Sequence, residues 1–129
     1  MIVTPSKEPV SYPAVHGGSG PPLLWRCFAR RGMVYSEIEG FESARMPPGA
    51  AIADHTHTRT DEIYLVTRGH GQMTLDGQAY DVGPGDLVML PRTHSHGLVN
   101  IGDEELEIIV LEFLPAEVAD RLPPRRPAL

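Results

Sequence analysis

Three histidines and one glutamate stand at spacings that restrict which secondary structure can bring them together. His55 and His57 are two positions apart, Glu62 follows five positions later, and His96 comes 34 positions after that. On a β-strand, side chains two apart point to the same face, whereas on an α-helix they lie about 200° apart and cannot share one ion. Histidine and glutamate bind divalent transition metals while leaving coordination positions open. The pattern therefore predicts a metal site built on strands.

The composition fits one domain and argues against several classes of partner. The chain has 129 residues, of which 41% are hydrophobic, and its formal net charge is −6. Nucleic-acid-binding domains usually have a basic surface, so we expect no nucleic-acid partner. No apolar run is long enough to cross a membrane, and the N-terminus lacks a signal-peptide pattern. The single cysteine excludes an internal disulfide and fits a reducing compartment, so we expect a cytoplasmic protein.

Short runs of strand-forming residues between glycine and proline turns predict an all-β sandwich or barrel. The predicted strands are Leu24 to Ala29, Met33 to Ile38, Phe41 to Met46, Ala51 to His57, Glu62 to Thr67, Gln72 to Leu75, Gln78 to Val82, Leu87 to Leu90, Gly97 to Asn100 and Leu106 to Phe113. Asp76-Gly77 predicts a two-residue type I′ hairpin, and Ala116 to Leu122 predicts the one helix. Residues 1–22 are expected to form an extended arm, 23–122 the domain and 123–129 a flexible tail.

The segments that contain the histidines resemble the two motifs of the cupin superfamily. The first motif is matched at every defined position, by Gly49, His55, His57, Glu62 and Gly69. The second is matched by Gly85, Pro91, His96 and Asn100. Thr93 departs from the pattern, because the family usually has glycine there. The short interval between the motifs is typical of small single-domain cupins.

The resemblance implies a cupin-type double-stranded β-helix, which is a jelly-roll barrel of about six to eight strands. An irregular N-terminal arm and a short C-terminal helix would flank the barrel. The resemblance also implies that His55, His57, Glu62 and His96 are the ligands of one divalent transition metal ion, and we expect Fe, Zn, Ni or Mn. Thr93 adds a Cβ where a turn often needs a positive φ. Because cupins commonly pair, we expect a homodimer.

Several residues near the motifs are candidates for acid/base or substrate-binding roles. Glu62, Tyr64 and His94 are the predicted catalytic residues; Tyr64 shares the inward face of Glu62 and either binds substrate or packs. His94 either lines the mouth of the barrel or faces solvent from its turn. Arg45 is predicted to bind an anionic substrate if its strand face points inward, and the register is left open. His16 is interpreted as a surface residue of the arm, which could close over a pocket.

Two classes of function fit this pattern. We expect a metal-dependent enzyme that acts on a small molecule, and we favour an Fe(II)-type dioxygenase or oxygenase, since open positions suit O₂ chemistry. In the alternative mechanism the metal acts as a Lewis acid in an isomerase, cyclase or lyase, and a nearby base moves a proton. The alternative from another class is a cupin that binds a small ligand without turning it over.

Overall fold

The computed structural model describes residues 8–31, 33 and 37–123, which form two antiparallel β-sheets around one core. The strands are β1 (Val10–Tyr12), β2 (Leu23–Arg30), β3 (Ile38–Met46), β4 (Ala51–Thr56), β5 (Asp61–Arg68), β6 (Gly71–Leu75), β7 (Gln78–Val82), β8 (Leu87–Leu90), β9 (Ser95–Asn100) and β10 (Leu106–Phe113). A 3₁₀ turn (Val15–Gly17) follows β1, and the helix α1 (Ala116–Ala119) follows β10. The larger sheet has the strand order β1-β2-β3-β10-β5-β8, and the smaller has the order β4-β9-β6-β7.

Alternation along the strands decides which side chains enter the core. On β10 the buried positions are Leu106, Ile108 and Val110, and their partners in the register include Ala44 on β3 and Val66 on β5. The smaller sheet contributes residues such as Met73 and Leu98 to the same cluster. Since one core joins both sheets, inward-facing polar residues on any of these strands are brought close to one another.

The predicted fold class is confirmed. The described residues are nearly all β, and the strands number ten rather than the six to eight that the family resemblance implied. Asp76 and Gly77 both have positive φ, 46° and 82°, as a type I′ turn requires. Thr93 also has a positive φ of 72°, so this branched residue keeps the backbone conformation for which glycine is better suited.

Some predicted boundaries were wrong. A strand was expected over Met33 to Ile38, but Met33 lies in a bend, residues 34–36 are outside the described residues, and β3 begins at Ile38. The helix was expected to reach Leu122, but it ends at Ala119. Beyond it, Leu122 N donates to Ala119 O in a tighter turn, because the residue before a proline disfavours the α conformation.

The N-terminal arm is more ordered than predicted. β1 pairs with β2 in a register that places Val10 opposite Trp25 and Tyr12 opposite Leu23. Residues 1–7 and most of the predicted tail, 124–129, are outside the described residues, so the division into arm, domain and tail stays a prediction. None of the helices that the structure describes is long and apolar enough to span a membrane.

Asn100, at the end of β9, fastens the turn that follows to the end of β3. Its side chain is 2% exposed. Its Nδ2 donates to Met46 O and Glu104 O, both at 2.8 Å, and its Oδ1 accepts from Gly102 N at 2.9 Å. A buried amide with all these bonds satisfied stabilises one chain path over others. The second motif therefore supplies a structural asparagine as well as a histidine.

We expect Asn100→Ala to lower the free energy of unfolding by about 3 kcal/mol, because it removes three hydrogen bonds, one of them to the carbonyl of the buried Met46. The neighbouring Val99 is partly exposed on the opposite face, so Val99→Ala should cost less than about 1 kcal/mol. Urea unfolding followed by circular dichroism measures both. Equal losses in the two variants would show that the hydrogen bonds of Asn100 do not hold this turn.

Candidate metal centre

The structure brings together the four side chains that we call the His₃Glu cluster: His55, His57, Glu62 and His96. His55 lies on β4 directly opposite His96 on β9, His57 follows the end of β4, and Glu62 points inward from β5 of the other sheet. One potential ligand atom from each residue lies within 4.8 Å of the others. The cluster therefore spans the space between the two sheets.

The ligand atoms lie close together, but two of the four, on Glu62 and His96, lack an aligned hydrogen-bond partner. The Nε2 atoms of His55 and His57 are 3.1 Å apart. Glu62 Oε2 lies 3.2 Å from His57 Nε2 and 2.9 Å from His96 Nε2. Glu62 and His96 are 4% and 2% exposed, yet Glu62 Oε2 and His96 Nε2 have no aligned hydrogen-bond partner among the described residues. Buried polar atoms without partners are costly, so this arrangement indicates that a shared group belongs between them.

A divalent metal ion fits these separations. Nitrogen and oxygen ligands bind such ions at about 2.0–2.2 Å, which sets neighbouring ligand atoms about 3.0 Å apart at right angles and about 3.4 Å apart in a tetrahedron. The contacts of 2.9, 3.1 and 3.2 Å fall in or near that range. The His₃Glu cluster could therefore hold a divalent metal ion.

Backbone contacts hold two of the histidines in place. His55 Nδ1 lies 2.9 Å from the carbonyl oxygen of Ala53; a proton on Nδ1 would donate to that oxygen and leave Nε2 free as a ligand. The carbonyl of His57 accepts a 2.7 Å hydrogen bond from Thr93 N. The turn at Thr93, with its strained backbone, is thus hydrogen-bonded to the segment after β4 and holds it in place.

Two members of the cluster, Glu62 and His55, favour the charge states that bind a cation, whereas hydrogen bonding to Glu62 raises the pKa of His57. Burial alone would raise the pKa of Glu62, but the adjacent His57 and His96 outweigh it and lower the pKa to about 2. Burial lowers the pKa of His55 to about 4, against the opposing effect of the Ala53 carbonyl. At neutral pH the cluster therefore offers a carboxylate and at least one neutral imidazole, which are the forms that bind metals.

Tyr64 lies beside the cluster and is buried. Its ring meets that of His96 edge to face, with centroids 5.9 Å apart, and the side chain is 3% exposed. Burial raises the pKa of the phenol well above its usual value, so the group stays protonated. Packing, one of the two roles considered for Tyr64, is what the contacts show; its catalytic and substrate-binding roles stay predictions.

His94 points away from the cluster, to the turn between β6 and β7. Its Nδ1 lies 2.6 Å from Asp76 Oδ2, and both side chains are 58% exposed. The same carboxylate accepts a hydrogen bond from Ser95 N, so Asp76 holds the segment before β9 and His94 together. The predicted catalytic role of His94 therefore has no support in this geometry.

Arg45 lies on the outer side of the larger sheet, which answers the question of register that the sequence left open and removes the condition under which Arg45 was predicted to bind substrate. The buried positions of β3 are Gly40, Glu42, Ala44 and Met46, so Arg45 has the opposite parity. Its Nη1 lies 3.9 Å from Glu105 Oε1. Alternation was correctly expected, but the sequence did not show which parity faces the core.

The inward parity of β3 introduces a buried acid that the sequence analysis missed. Glu42 is 2% exposed; Trp25 Nε1 donates to its Oε2 at 2.6 Å, and Arg30 Nη2 lies 2.5 Å from its Oε1. Burial raises the pKa of Glu42, although Arg30 and Trp25 oppose the shift. The available signal in the sequence was that Glu42 shares the strand parity of the apolar residues Ala44 and Met46.

Glu112 is a second acid that was missed. It follows Leu106, Ile108 and Val110 at their inward parity and lies opposite Glu62 in the register of β10 and β5. Burial first, and then the negative charges of Glu62 and Glu42, raise the pKa of Glu112 to about 7.

A cavity of about 420 Å³ adjoins the His₃Glu cluster at His57. The lining residues are Tyr12, Pro13, Ala14, Val15, His16, Trp25, Arg30, Glu42, His57 and Glu112. A smaller hollow of about 300 Å³ lies between the segment after β4 and Glu112, and His57 lines it too. Volumes of this order accommodate small organic ligands. The larger cavity is the polar chamber that the cluster faces, and its lining includes the two acids above and Arg30.

The model of the cupin domain family matches residues 43–112, which include the whole His₃Glu cluster. The chain belongs to the cupin family. An uncharacterised protein from Methanocaldococcus jannaschii is 32% identical over 77 residues, which is 60% of this cupin and 62% of that protein, less than two thirds of its length. An oxalate-binding protein from Thermotoga maritima is 25% identical over 115 residues, which is 88% of this cupin and 94% of the relative. The crystal structure of a predicted oxalate decarboxylase from Thermotoga maritima superposes with a TM-score of 0.82 at 24% identity, covering 89% of this cupin and 100% of that chain.

We expect His57→Ala to weaken Zn²⁺ binding by more than about 100-fold, because even residues that only support a ligand change affinity about 10–100-fold. His94→Ala should change it less than about 2-fold, since His94 contacts Asp76 instead. Competition with a chromophoric chelator measures both affinities, and circular dichroism checks that each variant of this cupin is folded. Unchanged affinity in His57→Ala would remove this histidine from the ligand set.

Proposed function

We propose that this cupin is a metal-dependent enzyme that acts on a small organic acid. The observation that supports this most directly is the connection between the His₃Glu cluster and the polar cavity of about 420 Å³. A purely structural site would be closed on all sides. Here His57 belongs to the cluster and also lines the cavity, so a ligand in the cavity would lie beside a bound ion.

His55, His57, Glu62 and His96 are the proposed ligands of one divalent transition metal ion. When bound, the ion supplies a Lewis acid, and an iron ion also supplies redox chemistry with O₂. Charge supports the assignment: Glu42, Glu62 and Glu112 place three carboxyl groups around a site whose cavity is lined by one arginine, Arg30. A divalent cation would offset the excess of negative charge.

The residues of the cavity have distinct proposed tasks. Arg30 is 55% exposed, and its guanidinium is anchored by the buried Glu42, so it presents fixed donors that suit a carboxylate or hydroxyl group of the substrate. Trp25 uses its indole N–H on Glu42 and offers the rest of its ring as an apolar wall. Together they would orient a polar molecule with one end toward His57.

Glu112 is the proposed proton-transfer residue. A Lewis-acid mechanism needs a general acid or base within reach of the substrate. Glu62 is occupied as a proposed ligand, Tyr64 is buried and His94 is bonded to Asp76. Glu112 lies across from Glu62 and lines both hollows beside His57. Its position therefore supports this role better than those of the residues chosen from sequence.

The name of one relative favours a second candidate function. An oxalate-binding protein aligns with 88% of this chain, which supports a short dicarboxylate as the ligand and also the alternative of a protein that binds without turnover. The Fe(II)-type dioxygenase that we favoured from sequence remains one form of the enzyme hypothesis. Oxalate is therefore the first probe, and turnover separates the two functions.

The first test uses protein purified without chelators, analysed for its metal content and then titrated with oxalate and malonate by calorimetry. Binding followed by consumption of the acid supports the enzyme, and binding without consumption supports the alternative. Uptake of O₂ during consumption would favour the oxygenase mechanism over the Lewis-acid mechanism. Absence of binding by the metal-loaded protein would contradict the proposed class of ligand.

The second test compares Glu112→Gln with Glu107→Gln, which lies on the outward parity of the same strand. We expect Glu112→Gln to reduce turnover of the acid by about 100-fold or more, as for the loss of a general acid or base, while the dissociation constant changes little. Glu107→Gln should retain wild-type turnover. Equal rates in the two variants would exclude Glu112 from proton transfer.

A homodimer and a cytoplasmic location stay proposals. Sedimentation of the purified chain and fractionation of the cells that produce it would test them.

A further inference from the structure

The N-terminal segment crosses the metal centre and places an additional histidine against it. We call residues 8–22 the strap. The ring of His16 stacks on that of His55, with centroids 3.7 Å apart and planes inclined by 10°. It also meets the ring of His57 edge to face, with centroids 6.0 Å apart. From sequence, His16 was interpreted as a surface residue that could close over a pocket. The residue is exposed, and its ring also contacts two members of the His₃Glu cluster.

The strap is fastened on both sides of His16. Before it, β1 pairs with β2. After it, Ser19 O accepts a 2.9 Å hydrogen bond from Ala51 N. Gly18 approaches β4 so closely that a Cβ there would lie 1.9 Å from Ala51 O, and at Gly20 a Cβ would lie 2.2 Å from Gly49 O. The glycines after His16 therefore let the strap lie directly against the backbone that leads into His55.

The backbone at His16 adopts a conformation that side chains disfavour. His16 and Ala14 both have φ of 51°, in the left-handed region that is unfavourable for residues other than glycine. Such strain persists where surrounding contacts fix the chain, and it is concentrated at functional sites. The stacked position of His16 is thus imposed by the fastened strap.

Three groups surround the imidazole ring of His55, and His16 is one of them. Its Nδ1 lies 2.9 Å from Ala53 O, and its ring has His96 as a neighbour at 4.2 Å and 61°. The stacked ring of His16 completes this set of contacts. With both neighbours in place, the ring has little room to rotate away from the convergent position of its Nε2.

We propose that His16 is a positioning residue for the metal centre, which holds the His55 ring by stacking, and that the strap is a built part of the site. The inference rests on the proposed function, because it presupposes that His55 binds the metal. It adds that the strap residues Tyr12 to His16, which line the cavity, form a wall of the chamber and also support the proposed metal ligand His55.

The test compares His16→Ala and His16→Phe, with His70→Ala as a matched exposed histidine outside the cluster. We expect His16→Ala to weaken Zn²⁺ binding by about 10-fold or more, in the range found for residues that orient a metal ligand. His16→Phe retains an aromatic ring without nitrogen and should restore most of the affinity. The visible spectrum of the Co²⁺-loaded His16→Phe protein should match that of the wild type, because the ligands are unchanged.

Each other result overturns the inference in a distinct way. Equal losses in His16→Ala and His16→Phe would make His16 a ligand through nitrogen, and wild-type affinity in both would make it a surface residue. If the wild-type protein itself binds neither Zn²⁺ nor Co²⁺, both the proposed function and this inference are wrong. Wild-type binding with unaffected variants overturns the role of His16 alone.

A second comparison moves the strap without altering any histidine. Gly18 has ordinary extended φ and ψ, −62° and 168°, so Gly18→Ala is resisted by close contacts of the new Cβ with the Ala51 carbonyl group and with Val15 O, and not by the backbone angles. It should weaken Zn²⁺ binding as His16→Ala does, about 10-fold, with the metal-free protein still folded by circular dichroism. Gly102→Ala, where a Cβ meets no atom closer than 3.5 Å, should bind as the wild type. Wild-type affinity in a folded Gly18→Ala protein would contradict the role of the strap.

Discussion

The buried carboxylate of Glu62 is the constraint on which the rest of the site depends. A charge that is 4% exposed must be compensated by partners or by a cation. The nearest groups are histidine nitrogens whose approach is close but poorly aligned for hydrogen bonding. A divalent metal ion could complete this geometry, in which the protein alone leaves Glu62 Oε2 without an aligned partner.

Two further acids face inward from the larger sheet, so the need to compensate buried negative charge is not confined to Glu62. Glu42 on β3 and Glu112 on β10 share the inward face of the sheet with Glu62 on β5. The register sets Glu112 opposite Glu62, and Glu42 opposite Val110, two positions before Glu112. Like charges at such positions raise one another's pKa, as they do for Glu112. Among the described residues that line the larger cavity, Arg30 is the arginine, and it is engaged with Glu42. The chamber is therefore polar and rich in acceptors, which favours a ligand that brings donors or binds through the metal.

The fold and the four clustered side chains could be predicted because their signals are local. The separation of His55 and His57 fixes a strand face, and turn residues such as Asp76-Gly77 mark the hairpins. The orientations of Arg45, Glu42 and His94 could not be predicted in the same way. A shift of one residue exchanges the two faces of a strand, and only tertiary packing shows that Glu42 faces inward and Arg45 outward.

His16 illustrates a contact that no local pattern contains. It lies 39 positions before His55, and its stacking depends on where the strap lies against the backbone before β4. The sequence does contain the residues that permit this packing, since Gly17, Gly18 and Gly20 allow close approach and unusual backbone angles. A glycine-rich segment beside a lone histidine is interpreted as a loose arm, because the strand against which it packs lies far along the sequence. Once that partner is present, the same glycines make the segment fit closely, and an arm outside the family motifs becomes a wall of the metal centre.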